Sequence, residues 1–90
     1  MVMIDMSHAN SSKQHANQIP VGEDIARQIA GGEQRIAGVM IESHLVEGNQ
    51  SLNANAPLVY GQSITDACVS IDQTEQIIKG LADAIDKRRV

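Results

Sequence analysis

The sequence contains almost no aromatic residues, with one Tyr, no Phe and no Trp among its 90 residues. Large aromatic side chains supply much of the buried area in many cores, and a short chain buries a smaller fraction of its surface than a long one. The core must therefore consist of aliphatic residues. We expect it to be small, so the composition suggests that the chain is part of a larger folding unit.

Cysteine is equally scarce, since Cys68 is the only one. It cannot form a disulfide within the chain, so the sequence favours a reducing, cytoplasmic compartment and a small buried thiol at this position. No apolar run reaches the roughly 18–20 residues of a membrane helix. Asp5 and His8 interrupt the N-terminal apolar stretch where a secretory signal would continue. We therefore predict no membrane association and no export.

An excess of positive charge is also missing, because the formal net charge is −4. Proteins that bind nucleic acids usually present a basic face, so we predict no nucleic-acid partner. The three basic residues at positions 87–89 suit the negative end of a helix dipole and need no external partner. The sequence also lacks a glycine-rich phosphate loop and the nucleophile elbow of serine hydrolases. Nucleotide-binding and serine-hydrolase functions therefore have no support.

Two short apolar runs end abruptly in polar residues. We predict strands at about residues 2–6 and 36–41. The apolar residues of the first give way to Asp5, Ser7 and His8, and those of the second to Glu42 and His44. Short apolar runs bounded by turn signals are typical of strands buried on both faces of a parallel sheet. In barrels of alternating strands and helices, the chemistry sits at the carboxyl ends of the strands. We therefore expect these polar side chains to face one site.

Two helices are predicted from apolar residues at helical spacing. The first spans about residues 20–30 and ends at a Gly-Gly pair. The second begins near Asp72, where Asp72 and Glu75 have the spacing of a capping box, and it ends near Arg88. The apolar positions are Val21, Ile25 and Ile29 in the first helix and Ile77, Leu81 and Ile85 in the second.

The remaining segments decide the fold class. Residues 45–62 have no clear periodicity and are predicted to form a long loop. Residues 64–71 fit either a third strand or an irregular turn, and we favour the strand. This order of elements predicts an α/β fold with a parallel sheet and right-handed crossovers. A closed (β/α)8 TIM barrel needs roughly 200 residues or more, so residues 1–90 can form only a portion of one, with about three parallel strands and two main helices.

The polar strand ends contain a candidate set of metal ligands. Imidazole and carboxylate groups together suit divalent Zn, Mn, Fe or Co. His8 and Glu42 would come from the two strand ends, and Asp66 from the third segment. Spacing alone leaves open the alternative that these polar residues only cap the ends of buried strands.

Four stretches of the sequence match one enzyme family closely. They lie at residues 4–14, 28–32, 38–50 and 60–68, and they include the motifs His-Ala-Asn-Ser-Ser-Lys and Glu-Ser-His-Leu-Val-Glu-Gly-Asn-Gln. Over essentially all 90 residues the chain resembles the C-terminal part of the class I 3-deoxy-D-arabino-heptulosonate 7-phosphate (DAHP) synthases. The resemblance implies part of a (β/α)8 barrel enzyme, a transferase that condenses phosphoenolpyruvate with erythrose 4-phosphate, releases phosphate and begins the shikimate pathway of aromatic amino-acid biosynthesis.

The resemblance also implies a divalent metal held by a cysteine, a histidine, a glutamate and an aspartate. By motif match, His8, Glu42 and Asp66 are the last three ligands. The cysteine ligand lies upstream of the matched part, and Cys68 is a different position. Glu42, His44 and Asp66 are also expected to contact substrate, with His44 as the candidate catalytic residue. Simple packing within the loop is the alternative for His44.

The resemblance implies partners that the chain itself does not contain. These are the rest of the barrel and further copies in a homo-oligomer, together with the phosphate-binding cations that the family carries on earlier strands. The 90 residues alone are therefore predicted to be inactive. The competing hypothesis is a non-catalytic truncated barrel module that binds metal or pairs with a complementary fragment. The neighbouring family of 3-deoxy-octulosonate phosphate synthases matches less well.

Four further residues near the first motif have weaker assignments. Asn10, Ser11 and Lys13 follow His8 at the rim of the site, where a phosphate-binding role and a structural role are both open. His15 is predicted to lie at the surface.

Overall fold

The structure is a computed structural model that describes residues 1–12, 14–53 and 56–89. Lys13, which the sequence assigns to the rim of the site, lies outside the described residues, as do two residues of the predicted long loop. The elements are strand β1 (Val2–Asp5), 3-10 turns at His8–Ser11 and His15–Asn17, helix α1 (Gln18–Ala30), strand β2 (Ile36–Met40) and helix α2 (Ile71–Arg88). Within the described ranges, no helix is long and apolar enough to cross a membrane.

Strands β1 and β2 pair in parallel and form a two-stranded sheet. Ile4 lies opposite Val39 and Asp5 lies opposite Met40, and α1 makes the crossover between the two strands. Parallel neighbours need a crossover of this kind, because one strand must start again at the edge where the other started. The pairing confirms the predicted α/β order and brings the carboxyl ends of both strands to the same edge.

Residues 64–71 do not form the predicted third strand. In the part of the chain that the structure describes, this segment makes only isolated bridges, an antiparallel one between Gly48 and Cys68 and a parallel one between Ser43 and Val69. The Ser63 hydroxyl accepts the Thr65 N–H (3.1 Å) in a turn before these bridges, and α2 begins two residues after Val69. The turn and the helix leave too few residues for a strand ladder, so the segment is the irregular connection that the sequence left open as the alternative.

Helix α1 begins at Gln18, two residues before its predicted start. Pro20 lies in the first turn, where its missing N–H has no helical partner to lose and its fixed φ suits the helix. Ile25 and Ile29 are buried, as the four-residue spacing predicts. Gly32 follows with a φ of +106°, and its N–H donates to the Ile29 carbonyl (3.0 Å). The Gly-Gly pair therefore ends the helix as expected.

Helix α2 has a capping box, but not the one predicted. Ser70 is the N-cap: its hydroxyl accepts the Gln73 N–H (3.1 Å), and the Gln73 side-chain oxygen accepts the Ser70 N–H (2.7 Å). The Asp72 and Glu75 pair was wrong because Ser70 and Gln73 offer the same spacing two residues earlier. Asp72 instead lies in the first turn, where its charge suits the helix dipole. The helix ends at Arg88, as predicted.

The core is small and aliphatic. Met6 and Val69 are fully buried. Helix α1 comes close to Met6 and to α2 at Gly22, where a Cβ atom would lie 2.9 Å from Met6 Cε and 3.2 Å from Ile77 Cγ2. The buried apolar residues that pack together are Met6, Ile25, Ile29, Val69, Ile77 and Ala84.

Many large apolar side chains remain exposed. In β1, Val2 and Met3 are 52% and 69% exposed, and in α2 Ile71 and Ile78 are 53% and 54% exposed. Isolated exposed apolar residues are normal, but strands of a parallel sheet usually have both faces covered. This exposure agrees with the expectation from composition that the chain buries little apolar surface by itself.

The turn before β2 is closed by an ion pair. Both Glu33 carboxylate oxygens accept hydrogen bonds from the Arg35 side chain at 2.8 Å, and the Arg35 N–H adds a third at 2.8 Å. These bonds hold the pKa of Glu33 at about 2. Arg88 at the end of α2 also donates to the Glu33 carbonyl (3.1 Å). The turn therefore connects the start of β2 with the last residue of α2.

Replacement of Gly22 by Val should destabilise the chain by about 1–3 kcal/mol, because the new side chain overlaps Met6 and Ile77. Urea unfolding followed by circular dichroism measures the change. Gly80→Val is the matched control, since nothing lies within 4 Å of a Cβ atom there. We expect this control to be neutral or slightly stabilising, because Val has the better helix propensity. Equal effects of both substitutions would contradict a close helix contact at Gly22.

Glu33→Gln should flatten the acid side of the stability profile. A carboxylate whose pKa is lowered in the folded state contributes stability above its unfolded value of 4.5, and this contribution is lost as the pH falls through about 2. The urea midpoint of the variant should therefore change less between these two pH values than that of the wild type. Glu23→Gln, at an exposed position of α1, is the charge-matched control and should keep the wild-type slope.

Candidate metal centre

Three candidate ligands lie together at the carboxyl edge of the sheet. His8 follows β1, Glu42 follows β2 and Asp66 precedes α2. The His8 Nε2 atom lies 3.2 Å from Asp66 Oδ2 and 3.6 Å from Glu42 Oε1. One ligand atom from each residue lies within 4.8 Å of those of the other two. The structure therefore brings together the three residues that the sequence proposed as ligands.

Backbone hydrogen bonds carry Asp66 to this edge. The Val69 N–H donates to the Glu42 carbonyl (3.0 Å). In addition, Gly48 and Cys68 form two backbone hydrogen bonds with each other, with N···O distances of 2.8 and 3.1 Å. Asp66 lies two residues before Cys68, so these pairings bring it to the histidine although 58 residues separate the two in sequence.

Glu42 is held at its side chain and at its backbone. The Ser7 hydroxyl donates to Glu42 Oε1. The Gln18 amide donates to the Glu42 carbonyl (3.1 Å) and accepts the Glu42 N–H (3.0 Å). Gln18 is completely buried, and hydrogen bonds shielded from water are electrostatically stronger than exposed ones. Glu42 lies just beyond the end of the β2 ladder, so the buried amide takes the place of a strand neighbour there.

His8 is surrounded by carboxylates. Its Nδ1 atom lies 2.8 Å from Asp5 Oδ2, on the opposite side of the ring from Asp66 and Glu42. The hydrogen bond to Asp5, then that to Asp66 and the charge of Glu42, raise the pKa of His8 above its usual value. The same contact lowers the pKa of Asp5. A metal ligand must be a neutral imidazole, so a proton and a cation compete for Nε2.

Side-chain amides fold the following loop over these residues. Gln50 donates to the carbonyls of Val59 (2.8 Å) and Gln62 (3.0 Å) and accepts the Val59 N–H (2.8 Å). Asn49 donates to the Thr65 carbonyl (3.0 Å). The loop thereby closes one side of a cavity of about 250 Å³. The cavity is lined by Ser7, His8, Glu42, Asn49, Asp66 and Ala67.

Sequence reasoning placed Asp5 and Ser7 among the polar residues at the first strand end but assigned them no role towards the candidate ligands. Asp5 lies three residues before His8, and its ability to accept turn N–H groups was a usable local signal. Asn49 gave no such indication. Gln18 is 24 residues from Glu42 in sequence, and only the folded chain brings its amide to that backbone.

His44 is exposed and makes no hydrogen bond or ion pair with the three ligands within the described ranges. Its Nδ1 atom accepts the Leu45 N–H (2.8 Å). In the neutral ring the proton is therefore on Nε2, which leaves that atom as a hydrogen-bond donor. The predicted catalytic role of His44 stays a prediction.

The remaining predicted positions have structural surroundings. Cys68 is buried, as expected, and burial raises the pKa of its thiol. Asn10 donates to the Asp5 carbonyl (2.6 Å) and the buried Ser11 hydroxyl to the His8 carbonyl (3.2 Å), which supports the structural alternative for both. His15 is partly buried instead of at the surface, with its side chain 27% exposed, because it packs towards Glu47.

The donor set and its spacing fit one divalent cation. An imidazole and two carboxylates suit Zn, Mn, Fe or Co. Two donor atoms that each lie roughly 2.1 Å from one ion are at most about 4.2 Å apart. Both separations measured from His8 Nε2, 3.2 and 3.6 Å, meet this condition. The distances therefore suit an ion shared by His8 and either carboxylate, and the ligand atoms of all three residues lie within 4.8 Å of one another.

Comparison with known proteins assigns the family. A model of the DAHP synthetase I family matches residues 1–79. The Phe-sensitive phospho-2-dehydro-3-deoxyheptonate aldolase of Escherichia coli (strain K12) is 59% identical over 88 residues, which cover 98% of this chain and 25% of the relative. The corresponding aldolase of Haemophilus influenzae is 52% identical over 88 residues, covering 98% and 24%. The chain belongs to the DAHP synthetase I family, which confirms the resemblance found in the sequence.

A solved structure gives the same result for the fold. The phospho-2-dehydro-3-deoxyheptonate aldolase of Francisella tularensis SCHU S4 matches with a TM-score of 0.92 and 52% identity. The match covers 99% of this chain and 26% of that one. The chain thus spans about a quarter of the length of the relatives it matches.

Gln18→Met should loosen the backbone at Glu42. Met has a similar length but cannot accept the Glu42 N–H, and an unsatisfied buried group costs about 1–3 kcal/mol. The Glu42 carbonyl keeps the hydrogen bond from the Val69 N–H. Native-state hydrogen exchange should show faster exchange at the Glu42 amide, together with lower stability. Gln28→Met, at an exposed position of α1, is the matched control. Unchanged Glu42 exchange in a folded Gln18→Met protein would contradict the role of the buried amide.

Proposed function

We propose that this chain is part of a metal-dependent DAHP synthase, which condenses phosphoenolpyruvate with erythrose 4-phosphate to give DAHP and phosphate. The observation that carries the proposal is the cluster of His8, Glu42 and Asp66 in a chain of this family. The names of the relatives support it, since they are phospho-2-dehydro-3-deoxyheptonate aldolases. The chain contributes three metal ligands, and the rest of the enzyme contributes the fourth.

The rest of a (β/α)8 barrel is the proposed partner of the sheet. One strand, helix and strand unit of this kind is the repeating element of such a barrel. The exposed side chains of Val2 and Met3 support the proposal, because further strands and helices would cover them. A homo-oligomer and a cytoplasmic location complete the proposal and follow from the family resemblance and the single cysteine.

The chain's own residues have distinct roles in the proposed site. A bound divalent ion supplies Lewis-acid stabilisation of the negative charge that develops at the aldehyde oxygen of erythrose 4-phosphate. The ligand atoms of His8, Glu42 and Asp66 lie within 4.8 Å of one another, and the two carboxylates would balance the charge of the ion. Ser7 and Gln18 keep Glu42 in this arrangement. Preorganised ligands of this type need no reorganisation during the reaction.

Three residues are proposed to contact substrate directly. Glu42 and Asp66 line the cavity, where their carboxylates can accept hydrogen bonds from substrate hydroxyl groups. His44 has a proton available on Nε2 and is proposed to donate it in a hydrogen bond to a substrate oxygen, as the candidate catalytic residue. Its exposure allows a substrate to reach the ring.

The charge of the cavity explains why the chain alone should be inactive. The described lining contains two carboxylates and one imidazole but neither Lys nor Arg. Both substrates carry phosphate groups, which proteins bind with Arg and Lys side chains. We propose that the rest of the enzyme supplies such cations. A non-catalytic module that binds metal or pairs with a complementary fragment is the competing function, and the ligand cluster is compatible with it.

A chimera tests the proposal. Residues 1–90 replace the matching quarter of the Escherichia coli Phe-sensitive aldolase, and formation of DAHP is measured with added Mn²⁺. We expect the chimera to be active and the 90-residue chain to be inactive. His8→Gln, Glu42→Gln and Asp66→Asn should each reduce kcat/KM on the order of 100-fold or more, because each removes a metal ligand.

Asp83→Asn, at an exposed position of α2, is the control for the loss of one negative charge and should leave the activity unchanged. Wild-type activity in an active chimera that lacks Glu42 would show that the metal assignment is wrong. If the isolated chain were a compact monomer that binds Mn²⁺, the competing module would be the better description.

A further inference from the structure

Asp5 makes three hydrogen bonds to the turn that contains His8. Its Oδ1 atom accepts the Ser7 N–H (2.8 Å), and its Oδ2 atom lies 2.8 Å from His8 Nδ1. Its backbone carbonyl accepts the Asn10 side-chain amide (2.6 Å). One residue at the last position of β1 therefore fixes both the path of the turn and the ring of the proposed ligand.

The backbone at His8 needs such support. Its φ is +48°, in the left-handed region that residues with a side chain rarely adopt. Conformations of this kind are strained and persist where the surrounding structure imposes them. The Ser11 hydroxyl, which donates to the His8 carbonyl (3.2 Å), acts on the same residue from the other side. The ring is thus held by contacts that are not part of the ligand cluster.

The contact with Asp5 decides which ring nitrogen carries the proton. An ionised carboxylate only accepts hydrogen bonds, and Asp5 lies closer to Nδ1 (2.8 Å) than Asp66 lies to Nε2 (3.2 Å). In the neutral ring, which has one N–H, these distances favour the hydrogen on Nδ1. The neutral ring then has a free lone pair on Nε2, the atom that faces Asp66 and Glu42. Only a nitrogen with a free lone pair can bind a cation.

We propose that Asp5 is a positioning residue of the metal site, which fixes the Nδ1–H tautomer of His8 and aims Nε2 at the cation. The inference rests on the proposed metal function. It adds that the cation affinity depends on a residue that does not touch the cation. Carboxylates that orient a ligating histidine in other metal sites typically change metal affinity by about 10- to 100-fold when they are removed.

The substitution Asp5→Asn distinguishes control of the His8 tautomer from a role of Asp5 in maintaining the turn alone. The amide has nearly the same size, but it has only one accepting oxygen. If that oxygen keeps the Ser7 N–H, the amide nitrogen faces His8 Nδ1 and requires the proton of the neutral ring to move to Nε2. The substitution therefore disfavours the tautomer that can bind a cation while the turn retains its backbone hydrogen bond.

The experiment measures binding of Co²⁺ to the metal-free chimera by competition with a chromogenic chelator, and it records the visible spectrum of the bound ion without substrates. Asp5→Asn should weaken Co²⁺ binding by about 10- to 100-fold and change the spectrum. Asp83→Asn should match the unmodified chimera. In a His8→Gln background, Asp5→Asn should have no further effect, because Asp5 acts through His8.

The outcomes separate the possible failures. Co²⁺ binding that is equally weak in the unmodified and the His8→Gln chimera would overturn the metal function itself. Tight binding that Asp5→Asn leaves unchanged would overturn only the role of Asp5. An equal loss in the His8→Gln background would assign Asp5 a general structural role instead.

A second variant covers the case in which Asp5→Asn does not fold. Asp5→Ser keeps a hydroxyl acceptor for the Ser7 N–H but is too short to reach His8 Nδ1, so it should show the same loss of Co²⁺ affinity. Circular dichroism establishes folding of each variant. Failure of both variants to fold would overturn the positioning role in favour of a purely structural one.

Discussion

Parallel pairing between β1 and β2 brings two distant polar residues to one edge of the sheet. His8 leaves the first strand and Glu42 leaves the second, and parallel strands finish at the same edge. An antiparallel pair would place them at opposite edges. The buried core beneath, from Met6 to Val69, keeps the two strands and α2 in a fixed relation. The position of Asp66, the loop closure and the cavity all depend on this pairing.

Local patterns in the sequence predicted the features that neighbouring residues determine. The change from apolar to polar residues gave the two strand ends, and the four-residue spacing gave the buried face of α1. The start of α2 was ambiguous, because two capping patterns overlap within six residues. The contact that selects between them is tertiary, since Val69 pairs with the end of β2 and leaves Ser70 as the first free cap.

Contacts between distant segments could not be read from the sequence. The amide of Gln18 replaces a strand neighbour of Glu42, but nothing around Gln18 distinguishes it from other polar residues of an amphipathic helix. The predicted third strand at residues 64–71 was wrong for the same reason. Its pairing depends on how far the preceding turn and α2 extend. The roles of Ser7 and Gln18 were missed because their partner, Glu42, lies 35 and 24 residues away along the chain.

The loop over the site is held by hydrogen bonds from Asn and Gln side chains, and these bonds do not depend on pH. Amide groups do not titrate in the physiological range, so the bonds of Gln50 and Asn49 are the same whether His8 is charged or neutral. The proposed exchange of a proton for a cation at His8 therefore leaves these hydrogen bonds of the loop unchanged. The candidate site thus combines two kinds of polar group. The imidazole of His8 responds to pH, whereas the amides that fold the loop do not.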